Sequence, residues 1–431
     1  MLNINLMFQY RKLGLKPQTT LEKSTLNKSI KRHFKSSNID NFNSYFTLFS
    51  LRNLNNKTFN NKKQILKILK KKKNITLNGS IYKCLIKSRG KKYNVDIFIK
   101  ETPVINPILF YINYDINLNT NYNYKNYIIN NLLFSQNNSS NIELFVNYIL
   151  SKLVELNITL HFPYFYGFNI VTMNKFTIEN DHSITNYVID KNIKYKMYKN
   201  NNIERYDIPT ILIYTEKLCN TLYNYIKYKD IILECEWSSY IFQVISSLSI
   251  IQKYFNLYHN DLHISNIMFV YTPNKYIYYS YNNKYYRIPT YNKILKIIDW
   301  GRSTYDFNNY KGENNVFSLQ GDVFGQYIYK KINNIGKKEI QLNPHFDLAI
   351  FAYNIIIEPT FPKKGGLYNL VFSWLNNSKI NKNTNMFLIY KHLSTNANNS
   401  IPKYQIEKDI FKKFIIEKNK ISLKSKIYPL D

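Results

Sequence analysis

The chain has 431 residues, of which 45% are hydrophobic, and its formal net charge at pH 7 is +31. That length allows one large domain or two to three average ones, and that hydrophobic fraction excludes a chain that is disordered throughout. The excess of Lys, Asn, Ile and Tyr indicates an AT-rich coding genome, so much of the positive charge needs no dedicated partner. The electrostatic field of so large a positive charge would nevertheless attract nucleic acid, anionic lipid or an acidic protein.

Cysteine usage and apolar runs give an expectation about the compartment. Cys84, Cys219 and Cys235 are odd in number and share no metal-ligand spacing, which is typical of a reducing compartment and predicts no disulfide framework. The apolar runs are too short for a transmembrane helix. The first residues carry Arg and Lys after their apolar positions, the reverse of the order in a secretory signal. We therefore expect an intracellular protein without a membrane span.

The first half of the chain is predicted to be rich in β-strands. Residues 1–73 are basic and rich in Asn and Ser, and we interpret them as an N-terminal extension in which Lys70–Lys73 belong to a solvated linker. Two or three strands joined by a tight RGKK hairpin are predicted by ITLNGSIYKCLIKS and YNVDIFIKE. An amphipathic helix is predicted by the spacing of apolar residues in NIELFVNYILSKLVEL. Strands are predicted again by HFPYFYGFNIV and IPTILIYTEKL.

After Thr221 the pattern becomes mainly helical. The segment WSSYIFQVISSLSIIQKYF predicts a long, largely apolar helix that leads directly to His259. A hairpin around an Asn-Asn turn is predicted by YIYYSYNNKYYRIPT, and a buried strand that ends in an acid is predicted by KILKIIDWGRS. The order of elements predicts an α+β fold, with a β-rich half followed by a helical half that carries a β insertion.

Five polar side chains in this order match the requirements of phosphoryl transfer. Lys100 ends the strand VDIFIK and Glu143 opens the predicted helix, while Asp261 and Asn266 follow the long apolar helix. Asp299 ends a buried strand, where a carboxylate is costly unless a cation such as magnesium compensates it. Taken singly, each is better explained as a surface charge or a turn residue. Taken together, they supply a phosphate-binding lysine, its acidic partner, magnesium ligands and an acid for the attacking hydroxyl.

Two of the segments resemble motifs of the eukaryotic-type protein kinase superfamily. HNDLHISN (259–266) resembles the catalytic loop H-R-D-L-x-x-x-N, and DWG (299–301) resembles D-F-G. The segment IFIK stands where the family has V-A-I-K, and the resemblance covers about residues 75–390. The aromatic insert between the two loop motifs, followed by KIIDWGRS and GDVFGQY, is similar to protein kinases of giant DNA viruses.

The resemblance implies a bilobal protein-kinase-like fold, with a small β-rich N-lobe that contains helix C and a larger helical C-lobe. The implied segments are an extension at 1–73, the N-lobe and hinge at 74–220, and the C-lobe at 221–431 with a β-hairpin insert at about 271–293. It also implies ATP and Mg²⁺ as substrate and cofactor, a protein as the second substrate, and a location in the host cytoplasm or the virion if the protein is viral.

The resemblance assigns a role to each matched residue. Asp261 would orient the acceptor hydroxyl and take its proton, Lys100 would neutralise the α- and β-phosphates, and Glu143 would hold Lys100. Asn266 and Asp299 would bind magnesium.

Further matched residues would contact the nucleotide or brace the loop. Gly79 and Ser80 lie where the family has its glycine-rich loop, and Glu216 and Leu218 lie in the hinge, which offers backbone groups to adenine. Asp347 stands where the family has an acid that braces the catalytic loop.

The sequence departs from the family pattern at several positions. Asn260 replaces the arginine that receives an activation-loop phosphate, which predicts activity without loop phosphorylation. His263 stands where Ser/Thr kinases carry a lysine that touches the γ-phosphate, and D-L-H also resembles kinases of aminoglycosides and choline. The glycine-rich loop keeps only Gly79, with Tyr82 where a further glycine is expected, and no A-P-E sequence follows D-W-G.

Three functions therefore remain open. The first is a Ser/Thr protein kinase that uses Asp261 as its catalytic acid–base residue. The second is a small-molecule phosphotransferase on the same fold, which His263 and the missing A-P-E favour. The third is a pseudokinase whose basic surface binds nucleic acid or an acidic or virion partner, which the reduced glycine-rich loop favours.

Overall fold

The computed structural model describes residues 20–40, 63–104, 135–179, 202–205, 208–308, 310–318, 321–323, 325–328, 331–332, 338–339, 343–376 and 385–431. These residues form a mixed α+β structure with predominantly antiparallel sheets and several helices. The chain divides into two compact units. Unit 1 takes residues 1–144 and 164–217, and unit 2 takes residues 145–163 and 218–431. Within the described ranges, no helix combines the length and the apolar character needed to cross a bilayer.

A six-stranded sheet forms the centre of unit 1, with the strand order β1-β5-β8-β4-β3-β2. The elements of the unit are helix α1 (Thr20–Phe34) and strands β1 (Ser36–Asp40), β2 (Lys63–Thr76), β3 (Gly79–Ser88), β4 (Lys91–Pro103), β5 (Phe165–Met173), β6 (Phe176–Glu179), β7 (Asn202–Arg205) and β8 (Ile208–Glu216). Strands β6 and β7 pair separately. Helix α2 (Ser139–Glu155) contributes its first residues to this unit.

The predicted strands and hairpin of this unit are confirmed. Strands β3 and β4 pair with Ser88 opposite Lys91, so that the connecting turn contains only Arg89 and Gly90. Both turn residues have positive φ angles, of 49° and 77°, as the tightest β-hairpin turns require. The same register places Gly79 opposite Lys100 at the far end of the hairpin.

Helix α1 packs against one face of the sheet. Its residues Ile30 and Phe34 are buried in the same cluster as Tyr82, Cys84 and Ile99 of the strands. Because side chains alternate between the faces of a strand, Lys100 projects from the face opposite to Ile99. The basic N-terminal stretch therefore supplies part of the core that supports the strand of Lys100.

The predicted boundary at residue 73 falls inside strand β2, which begins at Lys63. The interpretation of Lys70–Lys73 as a linker was wrong, because these lysines are exposed residues of an edge strand. Lysines on an edge strand disfavour pairing with another chain. This explains the densest positive run without a dedicated partner.

Unit 2 contains most of the helices. These are the later turns of α2, α3 (Leu222–Lys227), α4 (Glu234–Phe255), α5 (Phe346–Ile356), α6 (Gly366–Ser373), α7 (Met386–Asn396) and α8 (Pro402–Gln405), with 3₁₀ turns at Ile264–Asn266, Asn315–Phe317, Asp409–Phe414 and Lys418–Lys420. Its strands are β9 (Asn220–Thr221), β10 (Ile267–Tyr271), β11 (Tyr276–Tyr281), β12 (Lys284–Pro289), β13 (Lys293–Ile297), β14 (Tyr305–Phe307), β15 (Tyr310–Gly312), β16 (Lys331–Ile332), β17 (Lys338–Glu339), β18 (Ile415–Ile416) and β19 (Ile427–Pro429).

The predicted aromatic hairpin is confirmed, and it belongs to a larger sheet. Strands β11 and β12 are joined by Asn282 and Asn283, which both have positive φ angles. The C-terminal strands β18 and β19 pair with its two sides. The insert is therefore anchored by residues more than a hundred positions further along the chain.

Helix α2 differs from its predicted amphipathic character. Every residue from Ser140 to Glu155 is buried, including the polar ones. Lys152 and Glu155 form an ion pair of 2.9 Å with 1% exposure on each side chain. A buried charge needs such a partner, so the polar positions of the helix are internal rather than solvated.

A buried histidine makes the stability of unit 2 sensitive to acid. His161 lies between the Leu295 carbonyl oxygen, 2.8 Å from Nδ1, and the Tyr279 hydroxyl, 2.5 Å from Nε2. Burial lowers the pKa of His161 to about 4, with the backbone hydrogen bond opposing this and nearby Lys296 adding to it. The neutral ring therefore fits this site, and its cation does not.

We expect the contribution of His161 to stability to be complete above pH 6.5 and to be lost as the pH falls towards 4. In that window the unfolded chain binds the proton and the folded chain does not, which costs on the order of 3 kcal/mol. The melting temperatures of the native protein and His161→Gln, compared at pH 7.5 and 5, measure this. The melting temperature of His161→Gln should fall less between pH 7.5 and pH 5 than that of the native protein. The melting temperature of His392→Gln, which changes an exposed site, should fall as much as that of the native protein.

Candidate active site

Lys100 and Glu143 form an ion pair within unit 1. Lys100 Nζ lies 2.5 Å from Glu143 Oε1. The lysine stands near the end of β4 with its side chain 31% exposed, while the glutamate stands in the first turns of α2 with only 4% exposed. A carboxylate so deeply buried requires a cationic partner, and Lys100 supplies it. The lysine keeps an accessible side towards solvent.

The turn before Gly79 is shaped by Phe98, which the motif comparison did not single out. A Cβ atom at Gly79 would lie 2.5 Å from Phe98 Cζ, so only glycine fits at this position. Phe98 and Lys100 are two residues apart on strand β4 and therefore lie on the same face of the sheet. Ser80 is buried, and its hydroxyl bonds to Asn74 Oδ1 at 3.2 Å.

The two predicted hinge residues belong to different units. Glu216 ends β8, where its N–H donates to the Tyr164 carbonyl at 2.8 Å and its carboxylate accepts the Tyr164 N–H at 3.1 Å. Leu218 is buried and begins the second part of unit 2. The next residue, Cys219, donates its N–H to Phe269. The backbone N–H groups of Glu216 and Cys219 are thus used within their own units.

The predicted long helix α4 leads into the loop that starts at His259. It ends at Asn256, which adopts the left-handed conformation that closes a helix. Tyr258 then pairs with Thr304, and a 3₁₀ turn at Ile264–Asn266 leads into strand β10. The loop is therefore fixed at both ends by hydrogen-bonded elements.

Asp347 holds the centre of this loop. Its two carboxylate oxygens accept the N–H groups of His259 and Asn260, each at 2.8 Å. The carboxylate is 1% exposed, and burial raises its pKa, against the opposing effects of His259 and the two N–H groups. Asn260 has a φ of 62°, the left-handed conformation that asparagine tolerates better than most residues.

His259 connects the loop to the segment that immediately precedes Asp299. Its Nδ1 accepts the Asp261 N–H at 3.2 Å, so its Nε2 carries the hydrogen that is donated to the Ile298 carbonyl at 2.8 Å. The Ile298 N–H in turn donates to the Asn266 carbonyl at 2.9 Å. These bonds bring Asn266 next to the residue that precedes Asp299.

Asn266 and Asp299 supply oxygen donors of the kind that magnesium prefers. Asn266 is buried and its Nδ2 donates to the Asp261 carbonyl at 2.9 Å, which leaves Oδ1 as the ligand atom of that amide. Asp299 is exposed and has a φ of 66°. The expectation that Asp299 bears a burial cost was wrong, because the strand β13 ends two residues earlier. In the part of the chain that the structure describes, no three His, Cys, Asp or Glu side chains group as a metal site.

Asp261 is held by two side chains that the motifs did not indicate. Its Oδ1 accepts the Tyr390 hydroxyl at 2.5 Å and Arg302 Nη1 at 3.1 Å. His263 Nε2 lies 4.0 Å from the other oxygen, Oδ2. Burial lowers the pKa of His263 more than the nearby carboxylate of Asp261 raises it, so the ring is neutral at pH 7.

The predicted site residues thus form two sets. Lys100 and Glu143 pair within unit 1, while Asp261, Asn266 and Asp299 lie on connected segments of unit 2. That Lys100 acts on the same nucleotide as the second set stays a prediction from the motif order.

Comparison with models of known protein families gives no match, and comparison with curated proteins finds no similar sequence.

We expect Asp347→Asn to lower the free energy of unfolding by about 2–4 kcal/mol, because the amide has one acceptor oxygen for two buried N–H donors. Chemical denaturation of the purified protein measures the change. Asp230→Asn, at an exposed position, is the matched control and should change stability by less than about 0.5 kcal/mol. Equal effects of the two variants would contradict the bracing role of Asp347.

Proposed function

We propose that this chain is a phosphotransferase of bilobal protein-kinase-like fold, which transfers the γ-phosphoryl group of ATP to Ser/Thr hydroxyls of proteins with Mg²⁺. The observation that carries the proposal is the Lys100–Glu143 ion pair. The motif order required this contact between residues 43 positions apart, and an ordinary surface charge would not place Glu143 at 4% exposure.

The arrangement of unit 2 supports the same reaction. The loop of Asp261 is braced by Asp347 and joined through His259 to the strand that precedes Asp299. Phosphoryl transfer requires mainly positioning of the reacting groups and neutralisation of charge. A loop fixed by these hydrogen bonds meets the first requirement. Unit 1 supports it as well, since it is a β-rich unit that takes in the start of helix α2, which lies between β4 and β5 along the chain.

Each group then has one task. Lys100 binds phosphate oxygens, and Glu143 keeps its ammonium group in place. Asp261 presents Oδ2 to the acceptor hydroxyl and takes its proton. Asn266 Oδ1 and the Asp299 carboxylate would hold magnesium, which when bound neutralises charge on the phosphates. The exposure of Asp299 suits a ligand to an ion that arrives with its nucleotide.

Asn260 supports activity without phosphorylation. Its Nδ2 donates to the Arg302 carbonyl and to Thr304 Oγ1, both at 3.0 Å. The amide therefore fixes the segment after Asp299 directly, where the family uses an arginine and a phosphate. No added charge is needed to order this segment.

A small-molecule acceptor is the second candidate. Because burial lowers the pKa of His263, its neutral ring brings no positive charge to a transferred phosphate at pH 7, unlike the usual lysine of protein kinases. Labelled ATP incubated with a protein extract and, separately, with a metabolite pool distinguishes the two acceptors.

We expect Asp261→Asn to lower turnover by about 10²–10⁴-fold while the affinity for Mg-ATP stays within threefold. The amide oxygen still accepts the bonds from Tyr390 and Arg302, so the loop keeps its shape, but it cannot take a proton. Label transfer to protein and nucleotide binding by calorimetry measure the two quantities. Full turnover in this variant would contradict the assignment.

We expect phosphatase treatment of the purified protein to leave its activity unchanged, because Asn260 orders the neighbouring segment without phosphate. Mass spectrometry establishes that phosphate was removed, and the transfer assay is repeated on the treated protein. Loss of activity that returns after incubation with ATP would show that phosphorylation is required.

A further inference from the structure

We propose that Tyr390 and Arg302 are positioning residues that clamp Asp261 by Oδ1, so that Oδ2 is the oxygen presented to the acceptor hydroxyl. The inference rests on the proposed phosphoryl transfer and adds two residues that no motif of the chain indicates. They reach Asp261 from 129 and 41 positions away along the sequence.

The Tyr390 hydroxyl is held in place by its surroundings. Tyr390 lies on α7 and is 2% exposed. Its ring packs edge-on against Tyr327, with centroids 5.6 Å apart, and against Phe346, 5.8 Å apart. Phe346 precedes the bracing Asp347 on α5, so one helix fixes both the ring and the loop. A tyrosine confined in this way directs its hydroxyl to one point.

Arg302 binds the same oxygen of Asp261 through its positively charged guanidinium group. Its Nη1 lies 3.1 Å from Asp261 Oδ1, and its own carbonyl accepts the Asn260 amide at 3.0 Å. Bonds from a guanidinium and a phenol to a carboxylate are charge-assisted and therefore strong. Together they fix the rotation of the carboxylate.

In the proposed reaction the proton goes to Oδ2, the oxygen of Asp261 to which Tyr390 and Arg302 do not bond. The acceptor hydroxyl oxygen forms a bond to the γ-phosphorus as the bond from that phosphorus to the β-bridging oxygen breaks, and ADP leaves. The hydroxyl proton passes to Asp261 Oδ2 and from there to solvent. A carboxylate free to rotate would present either oxygen, and fewer encounters would be productive.

Other ionisable groups also lie around Asp261. The groups that bond to it, lie beside it or interact with it electrostatically are Arg302, Tyr390, Tyr327, His263, His259 and Asp347. Tyr327 lies in the same aromatic cluster, and its hydroxyl donates to the Asn260 carbonyl. Its side chain also hydrogen-bonds to Arg302, so it is coupled to the clamp.

The test compares Tyr390→Phe and Arg302→Gln with the native protein at full length, using labelled Mg-ATP and the acceptor found for the native protein. We expect Tyr390→Phe to lower kcat about tenfold with the KM for ATP within twofold.

A second comparison separates positioning from a merely structural role. Adding Tyr390→Phe to Asp261→Asn should lower the residual rate by less than twofold, because the clamp acts only through the carboxylate. A structural role would lower the rate tenfold in both backgrounds. If Tyr390→Phe proves unstable, Arg302→Gln gives the same comparison from a half-exposed position.

The outcomes distinguish the inference from the function on which it rests. A native protein that transfers no label to any acceptor contradicts the proposed function. An active native protein whose Tyr390→Phe variant turns over at the native rate contradicts the clamp alone. A faster Tyr390→Phe would show that the tyrosine inhibits Asp261, which also overturns the proposal.

Discussion

The buried carboxylate of Asp347 is the constraint on which the candidate site of unit 2 depends. A carboxylate at 1% exposure must find donors, and the two consecutive N–H groups of His259 and Asn260 are those donors. Both N–H groups point at the one carboxylate of Asp347, and Asn260 adopts a left-handed backbone conformation at this point. The same turn directs the Asn260 amide to the segment after Asp299 and leaves Asp261 beside Arg302.

Unit 1 depends on a comparable constraint at Glu143. Its buried carboxylate is compensated by Lys100, whose strand is held by Ile97 and Ile99 on the opposite face. Helix α1 contributes Ile30 and Phe34 to the same buried cluster, so the N-terminal stretch adds to the core behind the strand that presents the lysine. A basic composition gave no indication of this, because its few apolar residues form a core only once the sheet is present.

The departures from the kinase pattern have local physical explanations. Asn260 replaces a long cation by a short amide that reaches its backbone partner directly. Gly79 is retained because Phe98 fills the space that any side chain there would need. His263 is kept neutral by burial although it lies near a carboxylate.

The sequence by itself predicted strands β3, β4, β5, β8 and β13, the long helix α4 and the two tight hairpins. It also singled out five candidate site residues, which are Lys100, Glu143, Asp261, Asn266 and Asp299. The predicted elements follow from alternation, from helical spacing and from turn residues, which act over a few neighbouring positions. Only the tertiary structure decided that Tyr390 binds Asp261, that Phe98 packs on Gly79, that α2 is buried on all sides and that Asp299 is exposed. Those facts depend on contacts between distant parts of the chain, which no local pattern specifies.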